Sequence, residues 1–79
     1  MIEVTVAKRI HRLCQERQIT INDLANKSGI TPSTVYSLLN GKSKNPGIVT
    51  IKKICDGLDI SIVEFFNCEM FLELGQELY

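Results

Sequence analysis

The sequence predicts an all-α domain of five helices, and three observations carry that prediction. Apolar residues recur at helical spacing in two long stretches, Val6, Ile10, Leu13 and Cys14 in one and Ile51, Ile54, Cys55 and Leu58 in the other. Residues that cap helices stand where new stretches begin: Thr20 three before Asp23, Thr31 directly before Pro32, and Ser61 three before Glu64. Helix breakers, Gly29 and Pro46, fall between them. A chain of 79 residues has room for one domain, with a core that is modest but sufficient without metal or disulfide support.

The first helix is expected from about Val4 to Gln18, with Lys8, Arg9, Arg12 and Glu16 off its apolar face. His11 and Cys14 lie one turn apart on it, a spacing that two metal ligands can use. The chain has a single His, however, and Cys55 and Cys68 are distant in sequence, so a partly exposed histidine beside a core cysteine is the preferred reading. Three widely spaced cysteines with no CxxC pair indicate neither a disulfide framework nor a zinc ribbon.

The stretch from Thr20 to Asn40 reads as two short helices joined by a glycine turn. Thr20 and Asp23 form a capping-box signal, so the second helix should begin at Ile21, with Leu24 and the small Ala25 on its packed face. Gly29 should end it in a left-handed conformation, letting the chain turn within Ser28, Gly29 and Ile30. Thr31 then caps the third helix, with Pro32 in its first turn, where the missing N–H costs nothing. Val35 and Leu38 face inward, leaving Pro32, Ser33, Thr34, Tyr36, Ser37 and Asn40 outward: a polar set without formal charge.

The loop from Gly41 to Gly47 carries Lys42 and Lys44 at its tip, which suits contact with a phosphate strand. A fourth helix is expected from about Ile48 to Leu58, burying Ile48, Ile51, Ile54, Cys55 and Leu58 and exposing Lys52 and Lys53. Ser61 and Glu64 open a short fifth helix that completes the core with Phe65 and Phe66. The remaining tail, 67–79, holds Met70, Phe71, Leu72, Leu74, Leu78 and Tyr79 between glutamates. So much apolar surface calls for a partner, either the chain's own core or a second subunit, and a symmetric dimer through the carboxy-terminal part, from the fourth helix onward and including this tail, is the favoured expectation.

The central unit resembles the helix-turn-helix of the phage repressor and Cro family of DNA-binding domains. Ala25, Gly29, Ile30 and Asn40-Gly41-Lys42 match the family's pattern there, and it resumes with Pro46, Ile51, Ile54, Cys55, Leu58, Ile60, Ser61, Phe65 and Phe66. The likeness runs from about Val4 to Phe66. It implies a compact five-helix, lambda-repressor-like DNA-binding domain over 1–66. It further implies that the helix from about Pro32 to Asn40 enters the major groove of double-stranded DNA. Pro32, Ser33, Thr34, Tyr36 and Ser37 would then read bases, while Thr31, Asn40, Lys42 and Lys44 hold phosphates. The chain departs from the family at Ile21, where a phosphate-touching Gln is common, and at Cys14 and Leu39, where the family often pairs an Arg with an acid. That last departure is self-consistent, since a buried ion pair exchanged for an apolar contact is often neutral or stabilising.

Formal charge is zero overall, yet it is separated along the chain. Up to Ile54 nine basic residues stand against three acidic ones, giving plus six; after Ile54 there are six acidic residues and no Lys or Arg, giving minus six. A basic body can meet phosphates while an acidic tail faces away. No Ser-His-Asp, metal or phosphate-cradling constellation is present, so an enzyme is not expected, nor a cofactor or small-molecule ligand. Without a leader-like or membrane-length apolar run, a cytoplasmic location is expected. The function expected is a transcriptional regulator, a repressor by preference, acting as a homodimer on DNA. A protein-binding regulator of antitoxin or adaptor kind, using the acidic and apolar tail as its main surface, is the competing expectation.

Overall fold

The computed structural model describes residues 1–40 and 45–76, and over these the expected helices form in the expected order. α1 spans Ile2–Arg17, α2 Ile21–Ser28, α3 Pro32–Leu39, α4 Ile48–Gly57 and α5 Ile62–Phe66. A sixth helix of a single turn, α6, Glu69–Leu72, lies in the stretch expected only as a tail.

α1 starts two residues earlier than the sequence suggested, and the Thr5 hydroxyl donates to the Met1 carbonyl at 3.3 Å. It stops because Gln18 turns left-handed, at φ 56°, and Ile19 N–H reaches back to the Cys14 carbonyl at 3.1 Å. Asp59 repeats the device after α4, at φ 58°, with Ile60 N–H on the Cys55 carbonyl at 3.0 Å. Neither turn was marked by a glycine.

The core draws Val6, Ile10, Leu13 and Cys14 from α1, Leu24 and Ala25 from α2, Val35 and Leu38 from α3, Ile51, Ile54 and Cys55 from α4, then Leu58, Ile60 and Phe65. Leu24 and Phe65 are completely enclosed, each worth roughly 1.5–3 kcal/mol relative to an exposed side chain. α2 packs chiefly on α4, and the two come close at Gly57: a Cβ there would fall 2.4 Å from Ser28 Oγ and 2.9 Å from Ser28 N. Burial pushes the Cys14 and Cys55 thiols up, so both stay protonated and behave as small apolar residues.

Ile48 corrects the expected buried set. It is 60% exposed, because it opens α4, where no preceding helical turn covers it, and it lines a shallow groove with Ile2, Val6, Pro46, Ile51 and Phe66. The beginning of the tail packs on its own core: the Phe71 ring centroid lies 4.9 Å from that of Phe66 and 6.1 Å from that of Phe65. Arg9 fixes this end of the molecule, donating from Nε to the Phe65 carbonyl at 2.8 Å and from its terminal nitrogen to the Glu64 carbonyl at 3.0 Å.

Candidate nucleic-acid interface

α2 is anchored by a reciprocal pair of bonds. Asp23 N–H donates to the Thr20 hydroxyl and Thr20 N–H donates to the Asp23 carboxylate, both at 3.0 Å. The Thr20 amide, helped by the Thr20 hydroxyl, holds the Asp23 carboxyl below the usual carboxylate range. At the other end Gly29 sits at φ 69°, and Ile30 N–H closes on the Ala25 carbonyl at 3.1 Å. A side chain in that conformation would be strained, so the angle between α2 and α3 depends on this glycine.

α3 follows with Thr31 as its cap and Pro32 in its first turn. Val35 and Leu38 are buried, while Pro32, Ser33, Thr34, Tyr36 and Asn40 are exposed and Ser37 is half-buried. The helix contains no charged residue. Its first turn is tied by hydroxyls: Thr31 Oγ1 lies 2.9 Å from Thr34 Oγ1 and 3.2 Å from Ser33 Oγ, and accepts from Thr34 N–H at 3.3 Å. Thr31, Ser33 and Thr34 therefore form one cluster, with Tyr36 and Ser37 further along the helix and Asn40 as its carboxy-terminal cap. Tyr36, 49% exposed, is the large apolar body on this face. Lys42 and Lys44, the other residues expected at phosphates, lie outside the described residues.

The expected dimerisation residues are divided. Met70, Phe71 and Leu74 are half-buried, Leu72 is 82% exposed, and Leu78 lies outside the described residues, as does Tyr79. His11 is exposed and Cys14 buried, and among the described residues no cluster of three metal-ligating side chains occurs.

Sequence reasoning overlooked the structural use of two basic residues. Arg9 binds carbonyls across the fold, and Lys52 pairs with Asp56 one turn on. The second was detectable as an i, i+4 pair of opposite charge. The first spans 56 residues in sequence, and no local pattern announces it.

The profile of the Cro/C1-type helix-turn-helix DNA-binding domain matches residues 9–70, most of the chain. The chain belongs to this family. Among curated relatives, the transcriptional repressor RghR of Bacillus subtilis (strain 168) is 36% identical over 53 residues, covering 67% of this chain and 39% of its own length. The transcriptional regulator SlrR of the same organism is 32% identical over 65 residues, covering 81% of this chain and 43% of its own. The chain thus spans about two fifths of the length of the curated relatives it matches. Among solved structures, prophage Lp1 protein 11 superposes with a TM-score of 0.82 at 34% identity, over 94% of this chain and 97% of that one. A wild-type restriction-modification controller protein superposes with a TM-score of 0.78 at 29% identity, over 92% and 91% of the two chains. The paired helices α2 and α3 lie within the matched residues, and the all-helical fold is shared with these solved structures.

Proposed function

We propose that this Cro/C1-type domain is a sequence-specific double-stranded DNA-binding regulator of transcription, acting in repression, with α3 laid in the major groove. The single observation that carries the reading is the outward face of α3: exposed, polar, uncharged, and held at its amino-terminal turn by a capped geometry. A helix of that size fits the groove and offers its first outward residues to base edges. Pro32, Ser33, Thr34, Tyr36 and Ser37 are the reading set, with the Tyr36 ring and the Thr34 methyl suited to a thymine methyl. Phosphate contacts are assigned to Asn40, Lys42 and Lys44. Thr31, expected among them, has its hydroxyl already engaged by Ser33 and Thr34.

The DNA-binding unit is assigned to 1–66 and a homodimer to the intact protein. The exposed Leu72, flanked by the half-buried Met70 and Leu74, supports a contact between subunits through the carboxy-terminal segment. One reading helix covers few base pairs, whereas two related by a dyad read an inverted repeat with half-sites about 34 Å apart. A cytoplasmic, non-enzymatic role completes the reading. Among the described residues no helix is long and apolar enough to cross a membrane.

Selection of bound sites from random duplexes tests the whole of it. The expected result is an inverted repeat, with Ser33→Ala or Ser37→Ala changing the preferred base at one or two positions by about 1 kcal/mol. Equal weakening on every duplex refutes base reading by these residues, and recovery of no repeat refutes the dimer.

A further inference from the structure

Serine and threonine hydroxyls are poor readers on their own, because each can donate to one base edge and accept from another. The first turn of α3 narrows that ambiguity. Thr31 Oγ1 has two lone pairs and one proton. One lone pair is taken by Thr34 N–H. What remains is one proton and one lone pair, facing two hydroxyls, Thr34 Oγ1 at 2.9 Å and Ser33 Oγ at 3.2 Å. With both bonds made, Thr31 donates to one hydroxyl and accepts from the other.

The consequence falls on the outward side. The hydroxyl that donates to Thr31 has spent its proton and faces the groove with lone pairs alone, as an acceptor. The hydroxyl that accepts from Thr31 keeps one lone pair and its proton, and that proton is the only one the pair can donate outward. We propose that Thr31 is a specificity-determining positioning residue that makes Ser33 and Thr34 read DNA as one unit, with a single outward proton shared between them, so that one donor stands beside an acceptor at the major-groove edge. This rests on α3 being the reading helix. The ligand is a neighbouring donor and acceptor on the groove floor, such as the N6 amino group and N7 of adenine. Reversing the three-hydroxyl chain exchanges the two roles together, so the pair meets a donor and an acceptor in either order but, with a single outward proton between them, not two acceptors.

In the free protein all three residues are exposed and water competes for these bonds. Against DNA water is expelled, and bonds in a chain strengthen one another in the lower dielectric. Long side chains that recognise a base by two bonds are missing from the positions from Ser33 to Ser37, and the coupled pair offers a donor beside an acceptor from two short ones.

The test uses the full chain and duplexes carrying the selected site. Thr31→Gly removes the hydroxyl while keeping most of the cap, and Thr31→Ser keeps both. Ser33→Ala, Thr34→Ala and the double variant are measured in the wild-type and Thr31→Gly backgrounds, on the selected site and on duplexes changed at the bases these residues read. Ser33 and Thr34 are expected to be non-additive by roughly three- to tenfold in wild type and additive in Thr31→Gly, with Thr31→Ser restoring the coupling. Thr31→Gly is also expected to relax base preference at the positions read by Ser33 and Thr34 and to leave that at Tyr36 and Ser37 intact. Additive effects in wild type, on a site these residues do read, overturn the inference while leaving α3 as the reading helix. Binding that is indifferent to every substitution on α3 overturns the reading helix, and the inference with it.

Discussion

Gly57→Ala is the substitution for which the structure gives the sharpest energetic expectation. Gly57 ends α4, and its backbone is not left-handed, so alanine is conformationally permitted and gains about 1 kcal/mol in helix propensity. Against that gain stand three contacts of the new methyl: 2.4 Å to Ser28 Oγ, 2.9 Å to Ser28 N and 3.0 Å to Lys27 C. The hydroxyl can rotate aside, but the other two atoms are backbone, so the last turn of α2 must move off α4. Overpacking of this kind costs about 1–3 kcal/mol, and two backbone contacts place it in the upper half, leaving a net loss of about 1–2 kcal/mol. In a domain of this size that corresponds to a fall in Tm of about 5–15 °C, read by thermal unfolding in far-UV circular dichroism. Ser28→Ala separates the parts. The Ser28 hydroxyl is buried and has no partner among the described residues, so removing it is neutral or stabilising, and combining it with Gly57→Ala recovers only the hydroxyl's share of the loss. A Gly57→Ala chain melting at or above the wild type would refute the close crossing and, with it, the packing that holds α2 beneath the turn at Gly29.

Three further outcomes are expected. Asp23 has its pKa lowered in the folded chain, so its contribution to stability is complete above the ordinary carboxylate range and is lost as pH falls through the folded value; acid melts of wild type and Asp23→Asn converge at low pH if this holds, and a constant gap between them contradicts it. Arg9→Ala loses two bonds to the Phe65 and Glu64 carbonyls, costing about 1–3 kcal/mol in urea unfolding, and Arg9→Lys does not restore them because an ammonium lacks the planar fork. Lys42→Ala weakens binding to specific and random duplexes alike and reduces the slope of log affinity against log salt by about one; an unchanged slope removes this lysine from the phosphate contacts.

What the sequence made legible was local. Caps and turns are decided within three or four residues, which is why Thr20 with Asp23, Gly29, Thr31 with Pro32, and the Ser61 half of the last box, at 2.9 Å from Glu64 N, all formed where the residue types required. The outward set on α3 was legible for the same reason: an eight-residue helix with two apolar anchors has one orientation on a core. Ile48 was misjudged because periodicity assigns a residue to a face, while burial needs neighbours closed over it, and Ile48 stands at an open groove lined by Ile2, Val6 and Phe66. Gln18 and Asp59 were not marked as turns because residues other than glycine enter the left-handed region only when surrounding bonds compel them. Gly57 could not be distinguished from an ordinary helix-terminal glycine, since its reason is the backbone of another helix crossing it. The single turn of α6 is too short for periodicity to register, and it is placed by Phe71 meeting Phe65 and Phe66.

Charge shows most clearly how structure redistributes what a sequence total suggests. The plus six of the body includes Arg9, which is spent on the carbonyl end of α5, and Lys52, which is paired with Asp56. Both serve the fold, and a phosphate reaching either would compete with an existing partner. Under the proposed function, cationic contacts to DNA are expected from residues outside α3, such as Lys27 at the end of α2 and the lysines that follow Asn40. The reading helix between them carries no charge at all. This divides the labour in a way that predicts how binding depends on salt. On that proposal, attraction to the phosphate strands comes from outside α3 and weakens with ionic strength, whereas discrimination among bases comes from neutral hydroxyls and one aromatic ring and does not. Raising salt should thus lower affinity for specific and random duplexes in parallel while leaving the ratio between them nearly constant. A ratio that collapses with salt would place base discrimination on a charged side chain, and among the described residues α3 has none to offer.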